Sequence, residues 1–214
     1  ENSQLRVPAG PLPGRSSELW WRSDAGPLVM DGYYHRRPMS CSLLDSVSLA
    51  VISDILYGSR SSRLYRSLVE PQKALSCSVL DTYPGEKFPG MAVTYAVPAP
   101  GVSISECVEA VRSQVEALVE GDISATELAR VKKGFRVDAL RALSENSALA
   151  TILASAQGLS GDWKRSVQEL LVLDELSASD VQRIAAELFR PENRFSGFVL
   201  PSGYDIPSGK AFAN

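Results

Sequence analysis

The sequence predicts an α+β fold in which a small β-sheet packs against a block of helices. Three observations support this prediction. Two pairs of β-rich runs occupy the first hundred residues, a series of helices with capping signals follows, and one last β-rich run comes after them. Parallel doubly wound folds instead alternate strands and helices along the whole chain. Since that alternation is absent, we expect one α+β layer.

Composition limits the function before any motif is considered. The 214 residues are 44% hydrophobic and 22% charged, which is enough to build one sizeable core. We expect a single domain over 18–200, after a Pro/Gly-rich linker at 1–17 and before a Gly/Pro/Ser-rich tail at 201–214. The net charge of -3 and the pI of about 5.3 argue against a nucleic-acid partner.

Targeting signals and cysteines bear on location. No apolar run approaches the roughly 20 residues of a membrane span, so we expect a soluble chain without one. The first residues lack a start Met and the apolar core of a signal peptide, which favours a fragment of a longer protein. Three widely spaced cysteines, Cys41, Cys77 and Cys107, indicate buried thiols in a reducing compartment rather than a disulfide scaffold.

Two short β-rich runs at 18–22 and 28–35 open the predicted domain. They flank a turn signal, Asp24-Ala25-Gly26-Pro27, and therefore predict a hairpin or a pair of neighbouring strands. Trp20 and Trp21 cannot both point inward from a regular strand. We expect one in the core and the other at a strand edge, although a dedicated binding surface is the alternative.

The next segment predicts a helix over 42–56. Its stripe of apolar residues has helical spacing, and Ser42 with Asp45 resembles a capping box. The stripe consists of Leu44, Val47, Val51 and Ile55. A Gly/Ser turn at 58–62 should follow. We expect its backbone N–H groups to face outward near a helix N-terminus, as a site for a peptide carboxylate or carbonyl; an ordinary helix–helix turn is the alternative.

A short helix and a second hairpin should follow this turn. The helix carries Leu64 and Leu68 and should end at about Val69, because Pro71 stops it. The next strand should start at Ala74 and place three residues on its core face: Leu75, Cys77 and Val79. The loop PGEKFPG then connects it to a strand over 91–97.

Four helices and a strand complete the predicted domain. Ser103-x-x-Glu106, Ser124-x-x-Glu127 and Ser177-x-x-Asp180 mark three helix starts, and Gly121 marks one end. We expect the second of these helices to continue through Leu143 toward Leu153. A further helix lies around 163–173. The run at 194–200 should return to the sheet as its last strand.

The stretch from Leu56 carries a resemblance to a known family. The pattern L-x-G-x-x-SSRLY-R-SLVE, followed by an A-x-S-x-S strand, resembles the C-terminal half of a pitrilysin or insulinase type (M16) zinc metallopeptidase, most closely its processing-protease branch. The resemblance implies a mixed, largely antiparallel sheet of about five to six strands backed by helices. It also implies a partner half with the zinc motif H-x-x-E-H, which this chain lacks.

Direct evidence for catalysis or metal binding is absent from the sequence. A hydrolytic zinc site needs about three protein ligands, whereas the chain has one histidine, His35, beside Arg36 and Arg37. No G-x-S-x-G elbow or P-loop is present. We therefore predict no catalytic residue, no metal ligand and no cofactor in this chain, with zinc in the partner half.

The resemblance suggests five substrate-binding residues. In M16 enzymes the second half contributes an Arg and a Tyr near the sheet edge, and the comparable zone here holds Tyr83 and Lys87 but no arginine. Tyr83 would donate a hydrogen bond to a substrate carbonyl, or instead cap the core. Gly58 corresponds to a glycine-rich loop of the non-catalytic processing-peptidase subunit. Arg63 and Tyr65 come from SSRLY, and we expect Arg63 to anchor the turn.

Three functions remain open at this point. The first is a non-catalytic half that clamps an extended peptide against a zinc-bearing H-x-x-E-H half. The second is a proteolytically inactive assembly subunit, like the core proteins of the respiratory cytochrome bc1 complex. The third is a stand-alone peptide-binding module. By resemblance we expect the chloroplast stroma or the mitochondrial matrix, with a bacterial cytoplasm as the alternative.

Overall fold

A computed structural model describes residues 14–35 and 42–202 of the chain. These residues form five strands: β1 (Ser17–Arg22), β2 (Leu28–His35), β3 (Ala74–Tyr83), β4 (Gly90–Pro98) and β5 (Arg194–Leu200). They form six α-helices: α1 (Leu43–Tyr57), α2 (Ile104–Val119), α3 (Ala125–Leu143), α4 (Asn146–Ser160), α5 (Arg165–Glu175) and α6 (Ala178–Leu188). A π-helical turn, Tyr65–Val69, and a 3-10 turn, Pro191–Asn193, complete the elements. The predicted α+β class is confirmed.

The strands form one mixed sheet in the order β1-β5-β2-β4-β3. Only β1 and β5 are parallel, and the other neighbours are antiparallel, as predicted. β3 and β4 form the expected hairpin. The predicted pairing of β1 with β2 is wrong, because β5 lies between them and Phe198 pairs with both Trp20 and Val29. The short connection between β1 and β2 suggested a hairpin, but β5, which is distant in sequence, takes the position beside β2.

Most of the core lies between one face of the sheet and the helices. α1 contributes the largest share, including Val51, Ile55 and Leu56, which are fully buried. Trp20 points into this core and stacks on Phe198 with ring centroids 4.2 Å apart, whereas Trp21 is 48% exposed. One tryptophan is therefore buried and the other exposed, as the alternation of a strand requires.

Side-chain caps define the starts of four helices, in agreement with the sequence. Ser42 and Ser124 each accept a hydrogen bond from the backbone N–H three residues later. Complete capping boxes open α2, at Ser103 and Glu106, and α6, at Ser177. These caps satisfy N–H groups that a helix start leaves without an intrahelical acceptor.

Two details of the predicted elements are wrong. Leu75 is 64% exposed rather than in the core, because the pairing of β3 with β4 shifts register between Ala74 and Ser76. An irregularity of this kind moves the next residues to the opposite face, and Ala74 and Cys77 are buried instead. The second correction concerns α3, which ends at Leu143 instead of continuing, where the Ser144 hydroxyl donates to the Arg141 carbonyl at 2.6 Å.

Some predictions fall on residues without a described structure. Cys41, Arg36 and Arg37 lie outside the described residues, as do most of the predicted linker and tail. Cys77 and Cys107 are buried free thiols. Among residues 14–35 and 42–202, no helix is long and apolar enough to cross a membrane. The domain limits of 18 and 200 stay predictions.

Candidate functional site

The five predicted substrate-binding residues lie in two separate places. Gly58, Arg63 and Tyr65 lie where α1 ends and the π-helical turn begins, next to the start of β3. Tyr83 and Lys87 lie at the other end of β3 and in the loop that follows it. Since a strand rises about 3.3 Å per residue, the ten residues of β3 separate the two groups by roughly 30 Å.

A buried serine holds the turn after Gly58 in place. The Ser62 hydroxyl is fully buried, accepts hydrogen bonds from the N–H groups of Gly58 at 2.9 Å and Ser59 at 2.8 Å, and donates to the Asp54 carbonyl at 3.0 Å. Both N–H groups are therefore satisfied within the turn, and the expectation that they face outward is wrong. A Cβ at Gly58 would lie 2.9 Å from the Asp54 Cα, so a residue larger than glycine would collide with α1 at this position.

Arg63 connects the same turn to the start of α3. Its guanidinium binds Glu127 through two hydrogen bonds, Nε to Oε1 at 3.0 Å and Nη2 to Oε2 at 2.6 Å, and also donates to the Asp122 carbonyl. These contacts suit an anchoring role. Tyr65 is half-buried, and its carbonyl accepts from the Glu70 N–H at 2.8 Å. Substrate contact by either residue stays a prediction.

Tyr83 and Lys87 lie at an exposed corner of the sheet. Tyr83 is 48% exposed and pairs with Met91, and Lys87 is exposed in the loop. Loss of hydration, and then the charges of Asp81 and Glu169, raises the pKa of Glu86 in the same loop. His35 is 2% exposed, and its Nε2 lies 3.1 Å from the Asp81 carbonyl oxygen, so that this histidine belongs to the packing of the corner.

In the described part of the chain, no helix lies over the centre of one face of the sheet, and we call this face the open face. Its centre is a shallow cavity of about 330 Å³, where Gly32 and Gly197 leave space between larger neighbours. The larger apolar residues that line it are Leu19, Met30, Met91, Val93 and Phe195. Because Tyr83 pairs with Met91, the corner tyrosine extends this face.

Sequence reasoning missed the open face, although it contained a signal. Gly32 and Gly197 lie in the middle of the strand patterns LVMDGYYH and RFSGFVL. A glycine inside a strand often marks a close approach of another chain or a ligand. Three large apolar side chains around the cavity are also exposed: Leu19 by 54%, Trp21 by 48% and Phe195 by 39%.

The helix-covered face holds a buried charge pair beneath α2. Asp31 is 1% exposed, and its carboxylate accepts from Arg112 Nε at 2.8 Å, from Arg112 Nη2 at 3.1 Å and from the Ser196 hydroxyl at 2.5 Å. Burial and then the Asp31 charge raise the pKa of Tyr33 to about 12. Burial also raises the pKa of the Cys77 thiol to about 12. At neutral pH these two groups are protonated and unreactive.

No part of the described chain provides a metal site or a nucleophile with a base. Within residues 14–35 and 42–202, no three histidine, cysteine, aspartate or glutamate side chains are placed to hold a metal ion. The arrangement offers instead an apolar surface on the open face and a hydrogen-bonding tyrosine at its corner. Exposed apolar surface of this kind is suited to contact with another chain.

Comparisons with known proteins place these features in context. Residues 38–135 match the family model described as the peptidase M16 inactive domain. No curated protein sequence matches the chain. A protease from Helicobacter pylori superposes with a TM-score of 0.83 at 20% identity, over 94% of this chain and 48% of that one. The chain therefore spans about half the length of that protease.

Two Bordetella structures match over nearly their whole length. A protein assigned as a zinc protease from Bordetella pertussis Tohama I is 26% identical with a TM-score of 0.71, over 84% of this chain and 96% of that one. An inactive peptidase domain from Bordetella parapertussis is 24% identical with a TM-score of 0.69, over 89% of this chain and 98% of that one. The fold thus makes up nearly all of these two crystallised chains and about half of the Helicobacter one.

Proposed function

We propose that this chain, whose residues 38–135 match the peptidase M16 inactive domain, is the non-catalytic half of an M16 zinc metalloendopeptidase. The resemblance drawn from SSRLYRSLVE is confirmed, because this motif lies within the matched residues 38–135. In our proposal the zinc ion and the H-x-x-E-H motif belong to a partner half, in the same polypeptide or in a separate subunit. In this proposal the chain contributes a binding surface, and the partner half contributes the catalytic groups.

The open face is the observation that carries this proposal. Exposed apolar side chains that surround a cavity mark a surface that another molecule covers. The cavity is lined by backbone and apolar side chains, so it suits contact with varied side chains better than recognition of one charged group. A zinc-bearing half facing this surface would enclose a chamber between the two sheets.

An extended peptide is the substrate class that fits this surface. A peptide that adds to a sheet edge binds through its backbone and tolerates varied side chains. β3 is an edge strand, and Tyr83 lies at the end of β3 on the open face. We propose that the Tyr83 hydroxyl donates a hydrogen bond to a peptide carbonyl there, while Lys87 offers a cation to the peptide or its carboxylate end.

Reconstitution tests the proposal. The chain, its H-x-x-E-H half and an equimolar mixture of the two are each assayed for zinc content and for cleavage of an unstructured fluorogenic peptide. We expect cleavage only in the mixture, with zinc bound to the H-x-x-E-H half. A control mixture in which Gln replaces the motif's Glu should bind zinc but not cleave. Cleavage by the H-x-x-E-H half alone at the full rate would contradict the proposal.

A second readout separates the alternative of an assembly subunit. If the two halves form a stable complex that binds zinc but never cleaves, the chain serves a structural role instead of a proteolytic one.

The cellular compartment of the chain is also a proposal. The structures named above come from bacteria, and an organelle of bacterial ancestry or a bacterial cytoplasm would each suit a chain with buried reduced thiols.

A further inference from the structure

A groove on the helix-covered side of the sheet lies beside the buried pair of Asp31 and Arg112. It runs between β1, the edge strand opposite β3, and α2, and encloses about 570 Å³. We call it the β1 groove. The residues that define it here are Glu18, Trp20, Val108, Glu109, Arg112 and Glu116. The open face lies on the other side of the sheet from α2, and Tyr83 lies at the opposite sheet edge.

The charges along the groove are predominantly negative. Glu109, Arg112 and Glu116 follow each other at intervals of three and four residues, which places them on one face of α2. Arg112 binds Asp31, so its charge is largely compensated. Glu109 and Glu116 are exposed and form no ion pair with any residue in the described part of the chain. The groove therefore favours a cationic occupant.

Trp20 provides a second and independent indication of an occupant. Its side chain is 6% exposed and lines the groove, and its indole Nε1–H has no hydrogen-bond acceptor among the residues described. A buried N–H without an acceptor costs free energy, and most such groups in folded proteins are paired. Because this nitrogen is itself buried, the indole would move toward the groove to donate to a backbone carbonyl of a segment lying there.

The backbone of β1 determines what form the occupant takes. Within the described residues β1 pairs with β5 alone, so its outer edge presents N–H and C=O groups to an added strand. An added strand points alternate side chains to opposite faces of the sheet. One set would meet the acidic residues of α2, and the other would lie beside Leu19 and Trp21, which are exposed on the open face.

We propose that the β1 groove binds an extended peptide segment in which basic and apolar side chains alternate. The basic side chains pair with Glu109 and Glu116, and the apolar ones cover Leu19 and Trp21. The segment adds to the edge of β1 by backbone hydrogen bonds. This inference goes beyond the proposed function, because it concerns the other edge of the sheet and requires neither zinc nor a catalytic half.

Peptide binding tests the charge requirement. The probe is a fluorescein-labelled decapeptide of alternating Lys and Val, and the comparison peptide alternates Glu and Val. We expect the Lys peptide to bind in low salt, the Glu peptide not to bind, and salt to weaken binding. The double variant Glu109→Gln and Glu116→Gln should bind about fivefold more weakly. The matched control Glu120→Gln changes a charge at the C-cap of α2, outside the groove, and should bind normally.

Two outcomes of that experiment would overturn the proposal. One is equal binding of the Lys peptide by the double variant and the control; the other is no binding of the Lys peptide. A Lys peptide with N-methyl groups on alternate backbone nitrogens tests strand addition, since it keeps the charges but loses donors. Unchanged affinity for the N-methylated peptide would rule out addition to β1.

The indole signals report the position of the peptide. The chain has three tryptophans, and in a ¹⁵N-labelled sample each gives one indole N–H signal. Trp20→Phe, Trp21→Phe and Trp163→Phe identify the three signals. Peptide binding should move the Trp20 signal downfield, as expected when its N–H gains an acceptor, and leave that of Trp163 unchanged. A Trp20 signal that stays in place at saturation would contradict the proposal.

Discussion

The two faces of the sheet differ more than any other pair of regions in this molecule, although the same five strands form both. One cross-strand row on the covered face contains Trp20, Phe198, Val29, Ala96 and Cys77. The adjacent row on the open face contains Leu19, Gly197, Met30, Tyr95 and Ser78. The first row is buried throughout, whereas in the second Leu19 is exposed and the other four residues, Gly197 among them, are half-buried. Along each strand, one set of alternate residues thus packs in the core and the other lies on the open face.

The largest effect should come from the charge pair on the covered face. Asp31→Val removes a buried carboxylate and leaves Arg112 without its partner, which should lower the free energy of unfolding by about 3 to 5 kcal/mol. Urea denaturation monitored by circular dichroism measures the loss. Thr94→Val is the matched control, because Thr94 pairs with Asp31 on the next strand, is equally buried and carries no charge.

A double variant shows whether the pair itself or its disruption matters. Replacing both members, Asp31→Val with Arg112→Met, removes the two charges together and should recover much of the stability lost in Asp31→Val. A double variant no more stable than Asp31→Val alone would mean that the pair itself contributes net stability. A decrease in the free energy of unfolding below about 1 kcal/mol for Asp31→Val alone would contradict a large cost of breaking this buried pair.

The next effect is a loss of stability at alkaline pH. Folding raises the pKa of Cys77 from 9.0 to about 12 and that of Tyr33 from 10.0 to about 12, so the folded state holds these protons more tightly than the unfolded state. Their contribution is complete below pH 9 and is lost as the pH rises toward 12. Each group can remove up to about 1.4 kcal/mol per pH unit within its window.

Variants isolate these two contributions. The free energy of unfolding, measured by urea titration between pH 8 and pH 11, should fall less steeply in Tyr33→Phe and in Cys77→Ala than in the unchanged chain. Thr94→Val is the control, because it changes a buried side chain that does not titrate. An identical slope in all four proteins would mean that neither buried group titrates upon unfolding.

The elements of the fold differ in how far the sequence alone predicts them. Helix starts were predictable because a Ser cap and an acidic residue three positions later satisfy local N–H groups, as at Ser103 and Ser177. Strand extents followed from alternation. The pairing of β1 was not predictable, because it depends on β5, about 175 residues away in sequence. Local patterns cannot specify which distant strand takes the place beside a given edge.

The candidate site was predictable to a smaller extent. The motif around Arg63 pointed to the family whose inactive-domain model matches residues 38–135, but the contacts of Arg63 with Glu127 arise only when α3 packs on the turn. Which face of the sheet stays open depends on where six helices pack, and no local pattern determines that. The mid-strand glycines at 32 and 197 were the available signal.

On the open face we expect stability and function to separate. Gly197→Val adds a side chain whose Cβ would meet nothing closer than the Met30 Cβ at 3.7 Å, and valine favours strands. The free energy of unfolding should change by less than about 1 kcal/mol. Filling the cavity should nevertheless reduce peptide cleavage by the reconstituted pair, about tenfold at saturating partner.

Gly32→Ala is a graded comparison for that variant. Its Cβ would lie 3.3 Å from the Met91 sulfur, which a flexible methionine can accommodate. Cleavage should decrease less than in Gly197→Val, because one methyl group fills less of the cavity. Full cleavage activity in Gly197→Val would argue that peptide and partner avoid the centre of the open face.

The smallest effect on stability should come from the exposed apolar residues around the cavity. Trp21→Ser and Phe195→Ser, at 48% and 39% exposure, should each change the free energy of unfolding by less than about 0.5 kcal/mol. Both should weaken association with the H-x-x-E-H half, measured by analytical ultracentrifugation. Leu171→Ser, 66% exposed on α5, is the control away from the sheet. If all three variants weakened association equally, the open face would not be the surface that binds the H-x-x-E-H half.

The position of β5 has a consequence for how the chain is made on the ribosome. Within the described residues β1 pairs only with β5, and β2 gains its second neighbour from the same strand. Everything from Ser17 to Arg194 must therefore leave the exit tunnel before the first strand can find its place. Until then β1 keeps Trp20 and Trp21 on an unpaired segment, which is a feature that recruits chaperones to nascent chains.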